Sequence, residues 1–217
     1  ALDPLQKSGA LGARAYAALE AKVLVASINA AGDGAVLNTL WSQLPKSQRR
    51  VPAAIEAYAR RASSFGLVLP AMDELESALR REWSPQLIET YGTLPGDDIE
   101  PRLRRAEGWL DAHPNDANLL LTLGRMCVRL KLWGKAHQYL QRSLALTPSA
   151  SAWEAVGDTY AGQGDAAQAQ RCYRNALAFA RGEAVTTLPQ TGTPGHVDTR
   201  PVAVEERDQH GVPRLRE

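Results

Sequence analysis

The sequence predicts an all-α fold built from consecutive helical hairpins, and three observations support this prediction. The 217 residues are 44% hydrophobic but only 6% aromatic, and they are rich in leucine and alanine. That balance favours helices over sandwiches and barrels. Part of the chain resembles itself at one constant offset, which indicates a repeat protein. Within each copy, apolar residues recur at i, i+3, i+4 and i+7, the period of one helical face.

The repeat is clearest between residues 120 and 177. At an offset of 33 residues, the following pairs conserve size class or apolar character: Leu120 and Trp153, Leu123 and Val156, Gly124 and Gly157, Cys127 and Tyr160, Ala136 and Ala169, Leu140 and Tyr173, Leu144 and Leu177. Because one offset relates every pair, the two segments are expected to be hairpins of the same construction.

Small residues at fixed positions predict where the helices approach each other. Glycine costs about 1 kcal/mol in a helix interior relative to alanine, so Gly124 and Gly157 need a compensating role. Antiparallel helices that pack at about 8–10 Å leave no room for large side chains at their closest point. We therefore expect Gly157 and Ala169 to lie at such a point, with Gly164-Asp165 forming the turn between the helices.

These residues resemble the tetratricopeptide repeat. Trp153-x2-Val156-Gly157-x2-Tyr160 followed by Ala169-x3-Tyr173 is similar to the signature of that family, and the preceding copy ends at Pro148 as the family's units do. The resemblance implies an all-α superhelix, or solenoid, of helical hairpins that binds other proteins.

Weaker periodicity extends the assignment along the chain. We predict a divergent N-terminal helical pair, four repeats, of which the second is degenerate, and a flexible C-terminal tail. The boundaries are residues 1–50 for the pair, 51–83, 84–114, 115–148 and 149–182 for the repeats, and 183–217 for the tail. The second repeat is degenerate because Thr93 to Asp97 interrupt its first helix, and His113-Pro114 ends the second about one turn early. The tail is rich in Pro, Gly, Thr and charge, without a sustained period.

Composition argues against several classes of function. The 25 basic and 24 acidic residues nearly balance, so charge gives no support to nucleic-acid binding. Two cysteines, Cys127 and Cys172, are expected to be buried thiols rather than a disulfide. The sequence contains no run of about 18 apolar residues, so it predicts no membrane span. The chain begins at Ala1, so we expect it to be part of a longer protein.

Catalytic and metal-binding constellations are not recognisable in the sequence. None of the four histidines pairs with another His, Cys or acid at helical ligand spacing, and there is no nucleophile elbow or phosphate loop. We therefore predict no enzyme activity, no catalytic or metal site and no cofactor.

A partner-binding groove is the remaining prediction. The first helix of each repeat would line it, with basic residues at one end and acidic residues at the other. Its predicted members are Arg60, Glu89, Asn118, Leu121, Arg125, Val128, Arg129, Glu154 and Asp158. A solvated polar face explains the same residues equally well. The lysine-and-asparagine clamp that some tetratricopeptide proteins use for terminal carboxylates is not reproduced.

A narrower resemblance rests on three segments. Trp83 to Gly92 (WSPQLIETYG), Ala106 to Asp116 (AEGWLDAHPND) and Leu119 to Arg125 (LLLTLGR), followed by the turn Leu132 to Ala136 (LWGKA), are similar to the C-terminal region of HemY. This family of proteobacterial inner-membrane proteins is associated with haem biosynthesis. The resemblance covers roughly residues 1 to 180 and offers no catalytic residues to transfer.

The resemblance implies two membrane helices upstream of this chain and a location on the cytoplasmic side of the bacterial inner membrane. It implies an organising role in late protohaem synthesis, with haem-pathway enzymes as protein partners. Two alternatives remain open. One is direct haem or porphyrin binding, in which Arg60, Arg125 and Arg129 meet the propionates; the other is a general assembly factor for envelope complexes.

Overall fold

The computed structural model describes residues 12–96, 99–186, 205–207 and 213–215. Its helices in chain order are α1 Ala13–Asn29, α2 Gly34–Gln43, α3 Pro52–Ser64, α4 Val68–Arg81, α5 Pro85–Thr93, α6 Ile99–Glu107, α7 Ala117–Arg129, α8 Trp133–Leu146, α9 Ala150–Gly162 and α10 Ala166–Ala180, with a 3-10 turn at Gln48–Arg50. No helix in these ranges is both long and apolar enough to cross a membrane.

Two short strands lie in the C-terminal region. β1 Glu205–Arg207 pairs antiparallel with β2 Pro213–Leu215. The sequence did not predict them, because three-residue strands are too short to show a period. The remainder of the predicted flexible tail from residue 187 onward lies outside the described residues.

The chain divides into two compact units, Ala1–Gly96 and Asp97–Glu217. The division falls within the segment predicted as the second repeat, residues 84–114. Helix α5 packs against α3 and α4 in the first unit, whereas α6 packs against α7 in the second. Helix α6 also ends at Glu107, earlier than the predicted end at His113, and turns follow. Gly108 stands directly after the helix, and glycine disfavours its continuation.

The first unit contains the hairpin formed by α3 and α4 and the N-terminal helices. Trp41 of α2 stacks on Tyr58 of α3 with ring centroids 4.3 Å apart. The guanidinium Nε of Arg61 donates to the carbonyl of Ala31 at 3.1 Å. These contacts hold the divergent helical pair against the first regular hairpin.

The second unit contains two hairpins related by the predicted 33-residue offset. Helices α7 and α9 are each 13 residues long and begin at Ala117 and Ala150; α8 and α10 begin at Trp133 and Ala166. Side-chain oxygens of Asp116, Ser149 and Asp165 cap three of the four helices. The repeat period is therefore confirmed in the backbone itself.

The recurring glycines lie where the two helices of a hairpin meet. A Cβ on Gly124 would stand 2.5 Å from Cγ of Leu140, and a Cβ on Gly157 would stand 2.5 Å from Cε1 of Tyr173. Both distances are far below van der Waals contact. The prediction of close approach at Gly157 is confirmed. Ala169 is buried in the core cluster that also contains Leu140 and Val156.

The turns of three hairpins use one backbone conformation. Gly66, Lys131 and Gly164 have φ of 78°, 58° and 84°, and they lie at equivalent positions of their hairpins. In each turn the next residue's amide bonds back to the first helix, as Leu132 N does to Cys127 O at 2.8 Å. Lys131 is the one member of this set that is not glycine.

A buried polar cluster joins α6 to the hairpin of α7 and α8. The carboxylate of Glu107 accepts hydrogen bonds from Lys135 Nζ and from the Tyr139 hydroxyl, both at 3.0 Å. Burial, and secondarily the charge of Glu107, raises the pKa of Tyr139 and raises the pKa of the nearby Cys127 thiol to about 12. Both cysteines are free and buried, as predicted.

Candidate functional site

The predicted groove residues of the second unit fall on the first helices of its two hairpins. Asn118 and Arg129 on α7 are exposed, as are Glu154 and Asp158 on α9, and Arg125 is half-buried. The offset of 33 makes Arg125 and Asp158 equivalent positions on neighbouring helices. We call these five residues the charged face.

Two predicted members do not belong to this face. Leu121 is only 6% exposed and lies in a core cluster with Ala152 and Val156, and Val128 packs against the same cluster. Leu121 helps to hold α7 against α9 and is not available to a partner, and Val128 packs at the edge of the same cluster and is half-buried. The helical period placed them beside Asn118 and Arg125, but it could not show that α9 covers that side of α7.

The acidic part of the charged face is held in place by a hydrogen bond. The Tyr173 hydroxyl of α10 donates to Oδ1 of Asp158 at 2.8 Å. Burial, together with this hydrogen bond, raises the pKa of Tyr173 to about 12. The phenol therefore remains a donor at neutral pH, and it fixes the Asp158 carboxylate in one orientation.

The other two predicted residues lie in the first unit. Arg60 on α3 is exposed and forms an ion pair with Glu56, one turn earlier on the same helix, at 3.1 Å. Glu89 is exposed on α5. The pairing of Arg60 means that its charge is already partly satisfied within α3.

Sequence reasoning missed a cleft of about 430 Å³ in the first unit. Arg50, Arg81, Glu82 and Trp83 contribute to its lining, at the ends of α3, α4 and α5. The charged residues of its lining are two arginines and one glutamate. No sequence motif marked it, because its walls come from the ends of three helices.

The outer side of α10 differs from that of α8. Leu177 aligns with Leu144, which packs against the core, yet Leu177 is 60% exposed.

No metal-binding cluster accompanies these surfaces. Across the described ranges, no group of three or more His, Cys, Asp or Glu side chains could hold a metal ion. His113 and His137 lie within these ranges, while His196 and His210 do not.

Comparison with known proteins supports the fold. No protein-family model matches the sequence, and no curated protein sequence matches it significantly. The crystal structure of TTC0263, a thermophilic TPR protein in Thermus thermophilus, is similar over 75% of this chain and 91% of its own, with 22% identity and a TM-score of 0.53.

Two MamA structures show a weaker similarity. MamA AMB-1 matches over 74% of this chain and 97% of its own, with 16% identity and a TM-score of 0.47. MamA MSR-1 matches over 75% and 95%, with 15% identity and a TM-score of 0.46. These scores are too low to support an inference. The helical hairpins and the TTC0263 similarity together confirm that the chain has the predicted all-α, tetratricopeptide-like solenoid fold.

Proposed function

We propose that this chain is a non-catalytic scaffold that binds other proteins, and that the charged face of the second unit is the binding surface. One observation carries the proposal. The apolar residues of α7 and α9 are buried between the hairpins, while Asn118, Arg129, Glu154 and Asp158 remain exposed on the same two helices. A surface of this kind presents fixed charges on a rigid support.

The distribution of charge defines the partner that would fit. Arg125 and Arg129 lie on α7, and Glu154 and Asp158 lie on α9. A partner segment would place acidic groups over α7 and basic groups over α9. Complementary charges of this kind set orientation and association rate more than affinity.

Charge exchange tests the proposal. Arg129→Glu combined with Glu154→Lys cancels the charge at both ends of the charged face, because Arg125 and Asp158 remain, and it leaves the net charge of the protein unchanged. Both side chains are exposed, so we expect an unchanged unfolding transition. The amount of specific partner recovered by quantitative affinity capture should fall more than about tenfold, because each end would lose its net attraction for the partner and would present one repelling charge to it.

A matched control separates local from general electrostatics. Arg81→Glu with Glu82→Lys makes the same exchange at exposed positions of the first unit and should retain the partners. Equal retention of partners by both double variants would show that the charged face is not the binding surface.

We further propose that the chain is the cytoplasmic domain of a HemY-like protein anchored in the bacterial inner membrane, where it gathers enzymes of protohaem synthesis. The sequence resemblance motivates this, and one contact supports it. Lys135, from the Leu132–Ala136 turn, bonds to Glu107, from the Ala106–Asp116 segment, at 3.0 Å. Two of the segments that carry the resemblance therefore act as one structural unit.

Deletion in the native bacterium tests this finer proposal. We expect porphyrin intermediates to accumulate, and complementation by the full-length protein, but not by its Arg129→Glu, Glu154→Lys variant, to restore normal levels. The full-length protein should also fractionate with the inner membrane. Unchanged porphyrin levels in the deletion strain would refute the haem link while leaving the scaffold proposal to the capture experiment.

A further inference from the structure

The last helix of the second unit exposes a face that its counterpart one repeat earlier buries. Gln170, Tyr173, Arg174 and Leu177 form this face, which we call the end face. Tyr173 is 36% exposed and Leu177 is 60% exposed. Their equivalents on α8 behave differently, since Leu140 is fully buried and Leu144 packs against the core. The outer face of the second helix is therefore covered in the hairpin of α7 and α8 and exposed in the hairpin of α9 and α10.

The covered copy shows what kind of element fits. Helix α9 lies over the equivalent face of α8 and contributes Ala152, Ala155, Val156 and Tyr160 to the shared core cluster. The first three are spaced i, i+3 and i+4, so they form one narrow stripe of small side chains, and Tyr160 continues it one turn further along the helix. A face that receives such a helix once is shaped to receive a similar one again.

The described residues that directly follow α10, up to Thr186, do not cover the end face. The side chain of Asn175 holds Thr186 through two hydrogen bonds, of 2.7 Å and 2.8 Å. At 3.6 residues per turn, Asn175 lies about 160° around the helix from Leu177. Residues 183–186 therefore run along the opposite side of α10.

The charge of helix α10 indicates which kind of partner would bind the end face. Helix α10 contains no acidic residue, and Arg174 is exposed on the end face, whereas Arg171 lies one turn before Asn175 on the other side of the helix. A basic helix around an apolar stripe attracts an acidic partner and disfavours a basic one. Helix α1, which carries Arg14 and Lys22 but only Glu20, is therefore a poor match from a second copy of this chain.

We propose that the end face is a docking site for an amphipathic helix of a partner protein. That helix presents alanine- or valine-sized residues at i, i+3 and i+4 and carries acidic residues beside them. The end face adjoins the charged face through the hydrogen bond from Tyr173 to Asp158, but this proposal does not require the charged face to bind a partner.

The chain itself supplies a probe. A synthetic peptide of residues 149–163 (SASAWEAVGDTYAGQ) contains Ala152, Ala155 and Val156, two acidic residues and no basic residue. Fluorescence anisotropy of the labelled peptide against the intact protein should show saturable binding. A peptide with Val156→Glu should bind more than about tenfold more weakly, because a charge would enter the apolar contact.

Variants of the protein locate the binding. Leu177→Asp should weaken the peptide by more than about tenfold without lowering the melting temperature, since Leu177 is largely exposed. Leu69→Asp is the matched control, because Leu69 is 69% exposed on α4. Binding that is equal in the wild type and in Leu177→Asp would overturn the proposal, and so would a failure of the wild type to bind. Equal affinity for the wild type and for Leu177→Asp would also indicate that the peptide had displaced the native α9 from its own position instead of binding the end face.

Two further results would assign the end face to another occupant and overturn the proposal. Peptide binding that appears only after truncation at Thr186 would show that the remaining C-terminal segment occupies the face. Sedimentation that shows a dimer lost in Leu177→Asp would show that a second copy does.

Discussion

Replacing Gly124 by alanine tests the packing of the hairpins most sharply. The added methyl group would stand 2.5 Å from Cγ of Leu140, a fully buried side chain packed among residues of three other helices. Because Leu140 is fully buried in a close-packed core, its side chain has no free space into which it can rotate away from the added methyl group. Overpacking of this kind costs about 1–3 kcal/mol, and we expect about 2–3 kcal/mol here.

The higher helix propensity of alanine opposes this overpacking cost. Alanine is favoured over glycine in a helix interior by about 1 kcal/mol. The net destabilisation expected for Gly124→Ala is therefore about 1–2 kcal/mol. Gly157→Ala should cost less than Gly124→Ala, because the ring that its methyl group meets belongs to Tyr173, which is 36% exposed and can move outward at the expense of its hydrogen bond to Asp158. Gly157→Leu exceeds that freedom and should cost about 1–3 kcal/mol.

Urea unfolding followed by circular dichroism measures these differences. Gly134→Ala is the matched control, since nothing lies within 4 Å of its added Cβ and the change should stabilise the protein by about 0.5 kcal/mol. If Gly124→Ala is as stable as Gly134→Ala, the two helices of the hairpin do not meet at Gly124 as described.

Three other predictions concern turns, buried charge and thiols. Lys131→Gly should stabilise the protein by about 0.5–1 kcal/mol. A φ of 58° costs lysine about 1–2 kcal/mol, and the greater conformational entropy of glycine in the unfolded state offsets part of the relief. A lower urea midpoint would contradict this. Lys135→Met should destabilise by about 2–3 kcal/mol, because it leaves the buried Glu107 carboxylate without its cation. Arg60→Met, which breaks an exposed ion pair, should cost less than about 1 kcal/mol. Equal losses of stability in Lys135→Met and Arg60→Met would contradict the expected difference between a buried and an exposed ion pair. Burial raises the pKa of Cys127 to about 12 and that of Cys172 to about 11, so iodoacetamide at pH 8 should label neither thiol until urea unfolds the protein; rapid labelling of the folded protein would show that the thiols are accessible.

The sequence predicted the second unit well because its signals are local and repeated. Gly124 and Gly157 indicated the close approach, and the 33-residue offset gave the relation between the two hairpins. The division after Gly96 was not predicted, since a degenerate repeat between regular ones gives no indication of which neighbour each helix joins. Helix α6 was predicted too long because the helical pattern continues through Trp109 and Leu110 although the helix itself does not.

Prediction of the site was less complete for a physical reason. Periodicity assigns residues to one side of a helix, but it does not show which part of that side a neighbouring helix covers. Leu121 and Val128 were therefore grouped with Arg125, although they pack between hairpins. The hydrogen bond from Tyr173 to Asp158 was equally invisible, because it joins two helices across a turn.

Position-specific photo-crosslinking in the native cell tests the central claim most directly. A photoreactive amino acid would replace Asn118 or Glu154 on the charged face, or the exposed Gln138 on α8 as a control. The scaffold account predicts discrete protein adducts from Asn118 and Glu154 and none of the same mass from Gln138. The same adducts from all three positions, or adducts from Gln138 alone, would contradict it.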